Sequence, residues 1–210
     1  MRQKAENSRG SIKGMALAAI FWFSGQFAAG CALTTDYVTL SYAPQVGVSK
    51  IEGAEAIKVN VEVLDVRAVR DKVSVKKNGY GMEMAPIVAK EDVAKTVATA
   101  IEAELTNRGF ATAPGSVKVF VELQKFYNDF KSGFWSGTAA AELIMNIQIK
   151  KPRGTIVYSK LLAGEGSIPG IQLASGENAQ SALDAALKDA VTKLFDDSSF
   201  IKALFAALEV

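Results

Sequence analysis

Apolar and polar positions alternate along several stretches of the chain with the period of a strand that buries one face. Ile57, Val59, Val61 and Val63 alternate with Lys58, Asn60, Glu62 and Leu64, and Val117, Val119, Val121 and Leu123 alternate with Lys118, Phe120, Glu122 and Gln124. Ala141, Leu143, Met145, Ile147 and Ile149 repeat the pattern against Glu142, Ile144, Asn146 and Gln148. A further strand is expected from Thr155 to about Gly164, joined to the preceding one by the turn Lys151-Pro152-Arg153-Gly154.

Helical spacing appears in three places. Val93, Val97, Ala100, Ile101 and Leu105 share one face, and Asn107-Arg108-Gly109-Phe110 supplies a glycine stop and an apolar residue that can pack back. Glu177 to Phe195 carries a stripe of Leu183, Ala186, Leu187, Ala190, Val191 and Leu194, with Ser175 as its cap. Asp196, Asp197 and Ser198 break that helix and cap a last short one bearing Ile201, Leu204, Phe205 and Leu208. Arg67 to Lys90 reads as a long loop or hairpin turning at Lys76-Lys77-Asn78-Gly79. The order β-α-β-β-β-α-α predicts an α+β fold of two layers, about four strands in one antiparallel sheet with the helices on one face.

The first 30 residues follow a different logic. Arg2, Lys4, Arg9 and Lys13 precede an uncharged stretch from Gly14 to Gly30, apolar from Met15 to Phe23 and ending in small residues Ala28, Ala29 and Gly30 before Cys31. This layout resembles a bacterial lipoprotein signal cut between Gly30 and Cys31, with a diacylglyceryl group on the thiol and an acyl group on the new amine. Two or more chains anchor stably where one exchanges off, since each buried methylene contributes roughly 0.8 kcal/mol. A signal usually has Leu where Ala28 stands. An uncleaved membrane anchor is the alternative, because the uncharged run continues through Thr35, although Ser24, Gly25 and Gln26 interrupt it. An ordinary secretory signal is a third reading. The chain then divides into a signal peptide (1–30), a lipidated N-terminus and tether (31–56) carrying at most a short strand at Tyr42 to Val48, and one domain (57–210).

Removing the leader changes the charge. The whole chain has 24 Lys plus Arg against 22 Asp plus Glu; the leader takes four basic residues and Glu6, leaving 20 basic against 21 acidic. A mature portion near neutrality gives no reason to expect nucleic acid. The sequence has no histidine and only one cysteine, which excludes disulfides, Ser-His-Asp and Cys-His nucleophiles and the usual zinc sites. The acids Asp196-Asp197 and Glu102/Glu104 are the remaining candidates for carboxylate chemistry, but adjacent or i,i+2 acids on a helix point to different sides, as in caps and solvated faces. No enzyme and no cofactor beyond the acyl groups on Cys31 are expected.

From Cys31 onward the chain resembles the YajG family of bacterial lipoproteins. The likeness is carried by Val63-Leu64-Asp65-Val66-Arg67, by Leu105-Thr106-Asn107-Arg108-Gly109-Phe110, by the strand from Val119 to Phe126, by Gly154-Thr155-Ile156-Val157-Tyr158, and by Asn178-Ala179 with Ala182 to Ala190. It implies a lipid-anchored envelope protein and supplies no catalytic residue. Related folds occur among auxiliary lipoproteins of envelope transport systems, which is an analogy of fold.

Two features are candidate binding sites. Arg67, Arg70, Lys72, Lys76 and Lys77 form a basic segment that could meet anionic headgroups or a glycan; a solvated loop with Asp65 and Arg67 paired locally is the alternative. Phe126, Tyr127, Phe130, Phe134 and Trp135 cluster where the hairpin between Val117 and Lys150 must turn, either to engage a partner or to fold back over the sheet. The apolar segment from Ile168 to Leu173 raises the same question. The sequence thus predicts a non-catalytic binding or accessory module, anchored in a membrane through Cys31 and engaging an envelope protein complex through Phe130, Phe134, Trp135, Arg67 or Arg70. The alternative is a carrier of lipid or another apolar ligand between sheet and helices. Ala32 after the cysteine, in place of Asp, points to the periplasmic face of the outer membrane; retention in the inner membrane is the other placement.

Overall fold

The computed structural model describes residues 33–114, 117–133, 135–151 and 153–208, and residues 35–210 form one compact unit. Gly30, Cys31 and Phe134 lie outside the described residues.

The fold is α+β, with eight strands in two sheets among the described residues, where about four in one antiparallel sheet were expected. The strands are β1 (Asp36–Val38), β2 (Lys58–Asp65), β3 (Ser74–Lys77), β4 (Glu83–Ala89), β5 (Ala111–Thr112), β6 (Val117–Lys131), β7 (Gly137–Lys150) and β8 (Ile156–Ile171). The large sheet has the order β5-β2-β6-β7-β8 and the small one β1-β4-β3. The meander β6-β7-β8 is antiparallel as predicted, whereas β2 runs parallel to both β5 and β6, and β1 parallel to β4. Parallel neighbours need a crossover, and the helix between β2 and β6 supplies it. β1 and β5 are too short to show a period, and the hairpin β3-β4 is hidden by Lys76 and Lys77, which interrupt its apolar alternation.

Helix α1 (Val93–Asn107) starts on Asp92, whose side chain accepts Lys95 N. Helix α2 (Gly176–Phe195) starts on Ser175, which accepts Asn178 N at 3.4 Å, and α3 (Ser198–Ala206) on Asp197, which accepts Ser199 N at 2.8 Å. Each side-chain cap satisfies an N–H that the first turn leaves without an intrahelical acceptor, a contribution of about 1 kcal/mol. The apolar stripes read for α1 and α2 face one core, α1 packing on β2 and α2 on β8, β7 and β6, whereas α3 buries Phe200, Ala203 and Leu204, with Ile201 and Phe205 only partly covered and Leu208, past its end, exposed. The fit of α2 on β8 is close enough to require glycine. A Cβ at Gly166 would lie 1.9 Å from Ala182 O, and one at Gly164 would lie 2.3 Å from Ala186 O.

One irregularity decides which residues face that core. In β6 the buried positions are odd from Val117 to Leu123 and even from Phe126 to Phe130. A bulge between Leu123 and Lys125 absorbs Gln124, so that Leu123 faces Met145, Lys125 faces Ile144 and Phe126 faces Leu143. One extra residue keeps the apolar set on the buried face where strict alternation would have turned it out.

The segment expected to be a tether is part of the fold from Asp36 onward. β1 pairs with β4; Val38, Leu40 and Ala54 are buried. No strand forms at Tyr42 to Val48. Polar side chains fix this segment instead. Ser41 N and Oγ both donate to Asp184, each at 2.9 Å, and Asn107 Nδ2 donates to Gln45 O at 2.8 Å. Sparse contacts of this kind leave no periodic signature.

Candidate functional site

The sheet face away from the helices carries the ion pairs Lys118–Glu62 and Lys125–Glu142 and the amide of Asn146 donating to Glu122 at 3.1 Å, beside exposed Leu64 and Leu161. The β6 bulge interrupts this face. Beside it the chain leaves β2, extends its pairing by Val66 N donating to Leu123 O at 3.0 Å, and turns outward. Between that turn and β6 lies an open groove of about 460 Å³, lined by Arg67, Ala68, Val69, Gln124, Lys125, Phe126, Tyr127 and Ile144. Its exposed walls are largely apolar, with Val69 from the turn and Ile144 from β7. Bulges commonly re-aim side chains next to binding sites.

The turn is held by Asp65 and Arg67. Arg67 donates through Nε at 2.9 Å and Nη2 at 2.8 Å to the two carboxylate oxygens of Asp65, and its N–H donates to Oδ1 at 3.1 Å. Burial pushes the Asp65 carboxyl up, but the Arg67 hydrogen bonds and charge prevail and hold it below its ordinary value. Arg67 is only 4% exposed. The basic segment is therefore not a free cationic surface: Arg67 is spent on Asp65, Lys76 on Asp36 at 2.6 Å and Lys77 on Asp129 at 2.5 Å. Arg70 is exposed, with Nη1 donating to Asp65 O at 3.5 Å, and lines a second, polar groove with Asp71, Lys72, Glu91 and Asp92.

The aromatic cluster is divided. Phe126 and Phe130 are buried in the core, which corrects the expectation that Phe130 presents itself at a loop tip; the bulge at Gln124 has turned both inward. Tyr127 points outward beside the groove, and burial first, then the charges of Glu83, Asp129 and Asp71, keep its hydroxyl protonated above the ordinary range. Trp135 is 87% exposed at the β6-β7 turn. Arg67 and Phe126 thus meet at one groove, while Trp135 lies at the end of the sheet. Val69 and Ile144 were missed because single apolar residues in a loop or on the polar face of a strand carry no pattern.

The acids considered for catalysis have structural partners. Glu104 is fully buried, accepts Tyr42 Oη and Gln45 N at 2.6 Å each, and pairs with Arg108. Asp197 accepts Tyr158 Oη at 3.0 Å and Lys160 Nζ at 2.8 Å while capping α3. Among the described residues no three His, Cys, Asp or Glu side chains gather to hold a metal, and no helix is long and apolar enough to cross a membrane.

A family model described as "Uncharacterized lipoprotein" matches residues 44–204. The chain belongs to this lipoprotein family. The matched span of this lipoprotein holds both walls of the groove, the bulge, helices α1 and α2, and α3 as far as Leu204. Protein XCC0632 from Xanthomonas campestris is similar in structure, with TM-score 0.54 over 79% of this chain and 99% of that one at 13% identity, a likeness of fold. A minor lipoprotein from Acinetobacter baumannii gives 0.44 over 69% of this chain and 94% of its own, at 10% identity. No curated protein matches the sequence.

Proposed function

We propose that this lipoprotein is a non-catalytic binding module of the cell envelope, of the YajG type, which takes an apolar segment of an envelope protein into the groove beside the β6 bulge. Diacylglyceryl and N-acyl groups on Cys31 anchor it after residues 1–30 are removed, and Ala32 favours the periplasmic face of the outer membrane. The groove carries the reading. Its volume of about 460 Å³ is that of a site for a few side chains, and its charges are already neutralised by Asp65 on Arg67 and Glu142 on Lys125. Such a slot favours apolar side chains over an anionic headgroup or glycan.

The carrier reading is less well supported. It needs room between helices and sheet, where backbone of α2 already meets Gly164 and Gly166 at distances that exclude a methyl group.

A photocrosslinking residue at Val69, in cells, tests the module. The expected result is one discrete protein adduct, abolished by Ile144→Glu; adducts that are absent or insensitive to Ile144→Glu would overturn it. Metabolic labelling with a fatty acid tests the anchor, since label must be lost in Cys31→Ala.

A further inference from the structure

We infer that one end of the domain is a membrane-contacting face, formed by the β3-β4 turn, the β6-β7 turn and the β8-α2 turn, which seats the lipoprotein directly on the bilayer. The inference rests on the lipid anchor proposed above and concerns a different surface from the groove.

The first argument is reach. The fold begins at Asp36, whose carboxylate is salt-bridged to Lys76 at 2.6 Å and accepts the first N–H of α2, from Gly176, at 2.9 Å. Five residue steps separate Cys31 from this fixed point, and an extended chain spans at most ~3.3–3.6 Å per residue, or about 18 Å in all. A tether of 26 residues would have let the domain stand away from the membrane; this one holds it close.

The second argument is direction. β1 runs parallel to β4, with Asp36 opposite Ile87 and Val38 opposite Ala89, and β4 runs away from the turn at 78–82. The chain therefore enters β1 from the side of that turn. The same turn adjoins the end of β6, since Lys77 Nζ reaches Asp129 Oδ1 at 2.5 Å and Phe130 O at 3.4 Å. β6 then turns into β7, whose first residue Gly137 pairs with Ile171 at the end of β8. Gly176, five residues on, returns to Asp36. The three turns and the point of entry thus share one end of the molecule.

The third argument is what that end displays. Tyr80 is 92% exposed, Met82 58%, Trp135 87% and Leu173 73%. Trp and Tyr favour the headgroup level of a bilayer, where an apolar ring and a polar edge are both accommodated. Charge contributes little, because Lys76 and Lys77 are paired and exposed Lys131 is offset by exposed Glu83.

Trp22 leaves with the leader, so Trp135 is the one tryptophan of the mature chain and reports on the seat directly. The mature lipidated protein is reconstituted in phosphatidylcholine vesicles with or without bromine at the 6,7 positions of an acyl chain. Bromolipid is expected to quench Trp135 emission about twofold, irrespective of added phosphatidylglycerol, and Tyr80→Asp with Met82→Asp is expected to remove the quenching while acyl label on Cys31 persists. Equal emission in both vesicles with Cys31 labelled would overturn the seat and leave the anchor standing. Unquenched Trp135 together with a protein adduct from a crosslinker at Tyr80 would assign the face to a protein partner and also overturn it. Absence of label on Cys31 would overturn the anchor, and the seat with it.

Discussion

Glu104 Oε1 accepts the backbone N–H of Gln45 at 2.6 Å, joining the last turn of α1 to a segment 59 residues earlier in the chain. The same oxygen accepts Tyr42 Oη, and Arg108, one turn along the helix, pairs with the other oxygen while donating to Gln45 Oε1 at 2.7 Å and lying over the Phe195 ring at 4.6 Å. Burial pushes Glu104 up, but these donors hold it charged below the ordinary range, and the same burial and pairing raise Tyr42. Glu104→Gln keeps an acceptor for Tyr42 and Gln45 and turns an amide toward Arg108, leaving a buried guanidinium without its anion. A loss of about 3–5 kcal/mol is expected in urea unfolding. Arg108→Met with Glu104→Met should recover much of it, because the pair as a whole costs its own desolvation.

Asp197 gives the fold an acid-sensitive contact. The hydrogen bond from Lys160, outweighing the burial, together with those from Ser199 and Tyr158, brings this carboxyl down to about 2. An aspartate in the unfolded chain titrates near ~3.9, so the folded state binds its proton later than the unfolded state does. The contribution is full above pH ~4 and disappears as pH falls from ~4 toward ~2. Asp197→Asn retains a cap and removes the charge. Urea midpoints of the two proteins should differ most above pH ~4 and converge toward pH ~2; a constant difference would refute the linkage.

Arg67 and Arg70, three residues apart, should behave differently. Arg67→Ala abandons the buried side of Asp65 and should cost about 3 kcal/mol, whereas Arg67→Lys keeps the charge but not the two-pronged geometry and should cost less. Arg70→Ala, on the surface, should stay within about 0.5 kcal/mol. Thermal unfolding of the three variants ranks them.

These contrasts mark how much the sequence made legible. The helices were readable because Val93 to Leu105 and Leu183 to Leu194 repeat a stripe over three or more turns, and Ser175 and Asp197 stand where caps belong. β7 was readable because its alternation is uninterrupted. The parity change at Gln124 was not, since a bulge differs from a regular strand by one residue of unremarkable type; reading through it places Phe130 outside and obscures the groove. The segment 36–56 was opaque for another reason. Asp36, Ser41 and Gln45 hold it through partners up to 147 residues away, and pairing at that separation is a property of the fold. The local Asp65–Arg67 pair was within reach of sequence reasoning, but its burial depends on β6 and was not.

The contact of α2 with β8 yields a prediction in which the clash is with backbone. A methyl group on Gly166 would meet Ala182 O at 1.9 Å and Ala186 N at 2.6 Å, atoms that no side-chain rotation can move. The helix must lift from the sheet, separating Leu183 and Leu187 from the strands they cover. Gly166→Ala is therefore expected to cost about 3 kcal/mol or more in urea unfolding, at the upper end of overpacking. Ala182→Gly should not rescue it, since the offending oxygen remains. Gly79→Ala, where a Cβ meets nothing within 4 Å, should fall within about 0.5 kcal/mol of the parent. Rescue by Ala182→Gly would mean that side chains, and not the helix backbone, limit the approach, and would reopen space between α2 and the sheet for the ligand of a carrier.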